Sequence, residues 1–197
     1  YLWAGIGDTY AKNYEAEISS RGEKLPHYTE VGVGFSKMCL TPMLEYGRQA
    51  LEDNKKGVAT EALEQVALAI VVTTAIVSIF LTRDFTPDYN SGLAHACFYA
   101  LTAYPVIEKE HLHGEVVGFG VLYALLVDGQ QEEFEKIYAL NKELGLPVRI
   151  ADIGITEEQF FETMDRIPQM SDIRHYPYAV TKEMLMKAYE TIEQLPV

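Results

Sequence analysis

Sixteen consecutive residues without a charge, VALAIVVTTAIVSIFL from Val66 to Leu81, must find a place away from water. The run is shorter than the roughly 20 residues that cross a bilayer. It contains Thr73, Thr74 and Ser78, with Glu61 and Glu64 before it and Arg83 and Asp84 after it. A helix buried on all sides inside a bundle fits these features better than a membrane span. Its β-branched residues also suit a buried strand, but the lead-in EALEQVALAI favours one continuous helix.

Gly and Pro divide the rest of the chain into helical lengths. Asp8 to Ser20 holds helix formers, with Asp8 placed as an N-cap or first-turn acid. RGEKLPHYTEVGVG reads as a connecting loop. Phe35 to Asp53 reads as a helix with Met38, Met43, Leu44 and Leu51 apolar and Pro42 near its start or in a kink. TRDFTPDYNSG is a polar turn region, and Leu93 to Ala103 is again helical. Gly114 to Leu126 is apolar with glycines, the composition of a helix packed closely on its neighbours. Gln131 to Leu144 is amphipathic, with Phe134, Ile137, Tyr138 and Leu140 or Leu144 on one face. GLPVRIADIGI is a loop, Thr156 with Gln159 forms a capping box, and Thr181 caps a last helix to Leu195. Period-two patterning is nearly absent, so the fold class is all-α, a helical bundle in one domain spanning residues 1–197. Neither GxGxxG nor GxxxxGK[ST] occurs.

A formal net charge of -13 repels phosphate backbones and anionic lipid, so neither nucleic acid nor a membrane is expected as a partner. Cys39 and Cys97 form no CxxC pair and no disulfide framework, and a reducing cytoplasm is the simplest expectation. The chain opens on YLWAGIGD, with no basic segment and no cleavage site. It reads as the interior of a longer polypeptide rather than as a signal peptide.

Two of the five histidines stand in demanding places. His95 lies inside the apolar stretch GLAHACFYALT, where an imidazole needs a partner, and His113 opens another apolar helix. Asp8 follows Gly5-Ile6-Gly7. On spacing alone two readings stand: an Asp–His–His metal site, or an N-capping Asp8 with two hydrogen-bonded core histidines. Glu115 is either a carboxylate that orients an imidazole or a first-turn acid favouring the helix dipole, the second being preferred. His111 reads as a loop residue, and Tyr99, Tyr104 and Tyr123 as core or rim aromatics. Lys12 is placed either beside Glu15 or Glu17 or in solvent.

GIGDTYAKNYEA, SGLAHACFYALT and HLHGEVVGFGVL, in this order, resemble the C-terminal helical domain of the glycerol dehydrogenase branch of the iron-containing alcohol dehydrogenase superfamily. LGLPVRIADIGI and YPYAVTKEMLMKAYETI resemble that family's loop and last helix, so the likeness runs over almost the whole chain. It implies that Asp8, His95 and His113 hold a divalent metal at a cleft between two domains. The ion polarises a substrate hydroxyl while hydride passes to a nicotinamide ring. The iron-type relatives carry a further histidine ligand where this chain has Lys12, so Zn2+ is expected over Fe2+. The resemblance assigns NAD or NADP to an N-terminal nucleotide-binding α/β domain absent from this chain, which is then inactive alone. It also implies a small alcohol or carbonyl substrate and a homo-oligomer. No catalytic residue is expected beyond the metal ligands, and no cofactor-binding residue is assigned. Phe98 stands where the family has a polar histidine near the substrate, which points away from glycerol to another alcohol, ketone or hydroxy acid. A dehydroquinate synthase-type lyase is the alternative within the superfamily, although the NxGHTxGH string is absent. A non-catalytic packing or assembly domain is the alternative outside it.

Overall fold

One helix, α7 (His113–Val127), has no polar face, and the other helices gather around it. A helix apolar on every side must be enclosed, and Gly114 and Val116 through Leu125 are all buried. The computed structural model describes residues 1–82 and 88–196. In it α1 (Leu2–Ser19) and α5 (Leu93–Leu101) pack against α7, as do α8 (Gln131–Leu144) and α10 (Lys182–Glu193). The long α2 (His27–Lys56) lies across α1. On its outer flank it carries α3 (Glu61–Leu68), a π turn (Ala69–Thr73) and α4 (Thr74–Leu81). The short α6 (Pro105–Glu110) joins α5 to α7, and α9 (Glu157–Arg166) packs on α5 and α10. No strand occurs among the described residues, so the all-α expectation holds. Thr156 with Gln159 and Thr181 cap α9 and α10 as expected.

Close backbone approach is what brings α1 and α5 onto α7. A Cβ on Gly114 would overlap the Ala4 carbonyl, one on Gly7 would overlap the Gly114 carbonyl, and one on Gly120 would lie 2.9 Å from the Ala94 Cα. With no side chain between them, α1 and α5 pack almost main chain to main chain on α7. The start of α5 is fixed further by Tyr176, whose hydroxyl oxygen accepts from Leu93 N–H at 3.1 Å, and by the Ser91–Asp172 hydrogen bond at 2.5 Å. Both cysteines are buried free thiols. Burial pushes Cys39 up to about 11 and Cys97 further still.

The structure corrects several sequence expectations. Asp8 is neither an N-cap nor a first-turn acid, because α1 begins at Leu2 and runs through Gly5-Ile6-Gly7. Those glycines look like helix breakers, yet Gly7 is the small residue that α7 requires. Residues His27 to Gly34, read as loop, form the first turns of α2. There packing overrides propensity: a Cβ on Gly32 would lie 2.7 Å from the Phe80 Cβ of α4. Pro42 sits in the middle of α2 rather than near its start. The uncharged run is one continuous helical stretch, as read, but it is not buried on all sides. Ala62, Val66, Ala69, Val77 and Leu81 face inward, whereas Val71 is 68% and Ile79 70% exposed. By length and composition alone the Glu61–Leu81 stretch is apolar enough to cross a membrane. Of the turn read in TRDFTPDYNSG, residues 83–87 lie outside the described residues, and residues 88–90 form bends.

Replacing Gly114 by Ala is expected to lower unfolding free energy by about 3 kcal/mol or more, since the obstacle is backbone that cannot swing aside. Urea denaturation followed by far-UV circular dichroism checks this. A loss below about 1 kcal/mol contradicts the close-packed contact.

Candidate metal centre

Each of the three predicted ligands is the sequence neighbour of one of these close contacts: Asp8 follows Gly7, His95 follows Ala94, and His113 precedes Gly114. Asp8 projects from the middle of α1, His95 from the first turn of α5, and His113 is the first residue of α7. The structure brings them together. Asp8 Oδ1 lies 3.4 Å from His95 Nε2 and 3.5 Å from His113 Nε2. One ligand atom from each residue lies within 4.8 Å of the other two.

Asp8 Oδ1 is itself buried and has no hydrogen-bond partner among the described residues. A lone buried carboxylate oxygen facing two imidazole nitrogens is costly unless something charged joins them. Two ligand atoms bound to one tetrahedral ion at about 2.1 Å stand roughly 3.4 Å apart. The spacing therefore fits a shared cation, and the donor set of one carboxylate and two imidazoles suits zinc with a coordination position left open. Burial works against ionisation of Asp8. His113 and His95 beside it, with Lys12, outweigh burial and hold its carboxyl far below the usual carboxylate range.

The three residues differ in access. His95 is buried, while the His113 side chain is 43% exposed and forms the open edge of the site. Phe98 sets its ring edge-on to His113, with ring centroids 4.3 Å apart. Tyr99 stands beside both imidazoles, its ring centroid 6.2 Å from that of His95 and 6.5 Å from that of His113. The wall of the site next to the ligands is thus aromatic.

Two residues behave differently from their sequence readings, and one behaves as preferred. Lys12 is not in solvent: it is buried, its Nζ donates to the Asn90 carbonyl at 3.0 Å and lies 3.4 Å from His95 Nε2. Glu15 was visible only as a candidate partner for Lys12, yet its principal partner is His95. His95 Nδ1 lies 2.6 Å from Glu15 Oε2, and the His95 backbone N–H donates to Oε1 at 2.9 Å. Burial opposes a charge on either group. The His95 imidazole nevertheless holds Glu15 below the usual carboxylate range, and the Glu15 carboxylate raises His95 above that of histidine. These two residues are 80 positions apart, so no local signal links them. Glu115 acts as a first-turn acid: its Oε2 accepts from Leu112 N–H at 2.6 Å and its Oε1 from the Trp3 indole at 2.8 Å. His111 caps the end of α6, Tyr123 is in the core, and Tyr99 and Tyr104 are rim residues.

No family model matches the chain. Hydroxycarboxylate dehydrogenase A of Escherichia coli is 29% identical to it, over 98% of this chain and 53% of the relative. A glycerol dehydrogenase of Pseudomonas putida is 30% identical, again over 98% of this chain and 53% of the relative. The chain thus spans about half the length of the curated relatives it matches. The crystal structure of glycerol dehydrogenase from Schizosaccharomyces pombe matches with a TM-score of 0.80 at 22% identity, covering 98% of this chain and 49% of that one, a likeness of fold. The resemblance to glycerol dehydrogenases read from the sequence strings is borne out over nearly the whole chain.

Glu115→Ala is expected to cost about 1 kcal/mol through loss of the cap at α7. It also red-shifts the emission of Trp3, the sole tryptophan, and leaves zinc uptake at the triad within a few-fold of the parent. A loss of zinc affinity of about 10-fold or more in a calorimetric titration would instead make Glu115 a support of the ligands.

Proposed function

We propose that this chain, a relative of glycerol and hydroxycarboxylate dehydrogenases over nearly its whole length, is the metal-holding helical half of an alcohol or polyol dehydrogenase that passes hydride to NAD or NADP. The observation that carries this reading is the orphaned, buried Asp8 Oδ1 set 3.4 and 3.5 Å from two imidazole nitrogens. Asp8, His95 and His113 hold the ion, and zinc is favoured over iron because a buried lysine, Lys12, stands one turn after Asp8. When bound, the ion supplies Lewis-acid polarisation of a substrate oxygen.

The chain's own residues supply position and surroundings. Asp8 brings the negative charge that offsets a divalent ion, and the buried His95 anchors the site while the exposed His113 faces the substrate side. Phe98 and Tyr99 line the approach with apolar surface, which suits a small alcohol, ketone or hydroxy acid with less hydroxyl character than glycerol. The nicotinamide cofactor is assigned to an α/β half beyond this chain, whose arrival against the His113 edge brings hydride acceptor and substrate together. A cleft of that kind is closed by two domains, and the helical half alone is inactive.

Zinc titration by calorimetry on this chain, beside Asp8→Ala, His95→Ala and His113→Ala, tests the site. One zinc per chain is expected, with affinity falling roughly 100-fold or more in each variant. A folded parent chain that takes up no zinc overturns the reading. For the activity, the full-length polypeptide is assayed with alcohols, polyols and hydroxy acids and both nicotinamide cofactors. Turnover that a chelator abolishes and zinc restores is the expected result, and turnover indifferent to chelation speaks against it.

A further inference from the structure

We infer that Glu15 is a positioning residue, which sets the proton of His95 on Nδ1 so that Nε2 offers its lone pair to the corner formed by Asp8 and His113. The inference rests on the metal-holding reading of those three residues and deepens it. A neutral imidazole has one N–H donor and one acceptor nitrogen, and only the acceptor can bind an ion. Which nitrogen is free therefore decides whether His95 is a ligand at all.

Contacts on both edges of the ring bear on this. Glu15 is fully buried and has both carboxylate oxygens turned to His95, one accepting from the backbone N–H at 2.9 Å and the other lying 2.6 Å from Nδ1. At the opposite edge stands the Lys12 ammonium, 3.4 Å from Nε2, with its nearest carbonyl partner at Asn90. Asp8 Oδ1 also lies 3.4 Å from Nε2, but it makes no hydrogen bond there. An ammonium only donates and a carboxylate only accepts. The short 2.6 Å contact of Nδ1 with an acceptor, and a hydrogen-bonding donor rather than the unbonded Asp8 oxygen at Nε2, fit the form with the proton on Nδ1. The same arrangement keeps the ring plane fixed, because Glu15 grips the backbone and the side chain of one residue together.

The placement also explains why α1 carries both groups. Asp8 and Glu15 are seven residues apart, two helical turns, and so share one face of α1. One helix face thereby supplies a ligand and the group that prepares the ligand arriving from α5. An ordinary buried ion pair joining α1 to α5 needs the charges but not the proton on a particular nitrogen, and this separates the two roles experimentally.

The test has two arms. In the first, nitrogen-15 chemical shifts of His95 are recorded in the metal-free parent chain at a pH where the ring is neutral. A protonated Nδ1 and an unprotonated Nε2 are expected, and a proton resident on Nε2 overturns the inference. In the second, Glu15→Gln is compared with the parent by zinc competition against a chelator, with helicity checked by circular dichroism. The carboxamide keeps the shape but offers one accepting oxygen where His95 needs two. Zinc affinity is expected to fall about 10- to 100-fold with helicity unchanged. A folded Glu15→Gln chain that binds zinc within a factor of two of the parent overturns the inference. A parent chain that takes up no zinc removes the metal reading instead, and the nitrogen shifts then still decide whether Glu15 sets the proton.

Discussion

The site depends on helix backbones touching helix backbones. Where α1 and α5 approach α7 backbone to backbone, glycine or alanine stands at the contact, and Asp8, His95 or His113 is an adjacent residue in the chain. A ligand next to such a contact has little freedom of position, because the main chain that carries it rests on another main chain. Packed interiors do not deform continuously. The relative placement of three side chains from distant parts of the sequence is therefore inherited from the way the helices cross, and needs no dedicated loop to hold it. Sites built on regular elements are held more tightly than sites on loops, and here the regular elements are themselves locked together.

Charge is the second condition on this arrangement. Asp8, Glu15, Lys12 and His95 gather in a region largely removed from water, where an unpaired charge is costly. The group is ordered as a chain of contacts, from Glu15 to His95 and from His95 to Lys12 and Asp8. Its one loose end is Asp8 Oδ1. The surrounding protein is strongly acidic, with a net charge of -13, and this field favours an incoming cation before any contact is made.

Much of the architecture and the three residues that converge at the site could be read from the sequence, and the failures share a cause. The ends of α9 and α10 are chemically local, since Thr156 and Thr181 cap within one turn, and both were visible. Asp8, His95 and His113 were legible through three strings that each keep one of them in its local setting. Asp8 was misplaced at a helix start because Gly5 and Gly7 break helices in isolation, whereas here α7 selects for Gly7 and Gly5 lies against Ile70 of the π turn. The same error started α2 at Phe35 and left out Gly32, whose small size answers to Phe80 and Leu81 far along the chain. Glu15 escaped because its partner is on another helix. The run from Val66 to Leu81 shows the limit of hydropathy: it says that residues avoid water, not which of them find cover within the same chain. One face lies on α2, while Val71 and Ile79 stay open.

Buried thiols give the fold a built-in clock. A cysteine reacts through its thiolate, and burial holds both Cys39 and Cys97 far from that form. Neither can be alkylated until the helix around it opens. Cys97 sits two residues after His95 on α5, so alkylation there reports opening of the helix segment that carries the anchoring imidazole. Cys39, on α2, packs with Ala16 of α1 and with Val77 and Leu81 of α4, and reports opening where those helices meet. A ligand that spans α1, α5 and α7 lengthens the first interval more than the second, and the ratio of the two rates then reads how tightly the centre of the bundle is held.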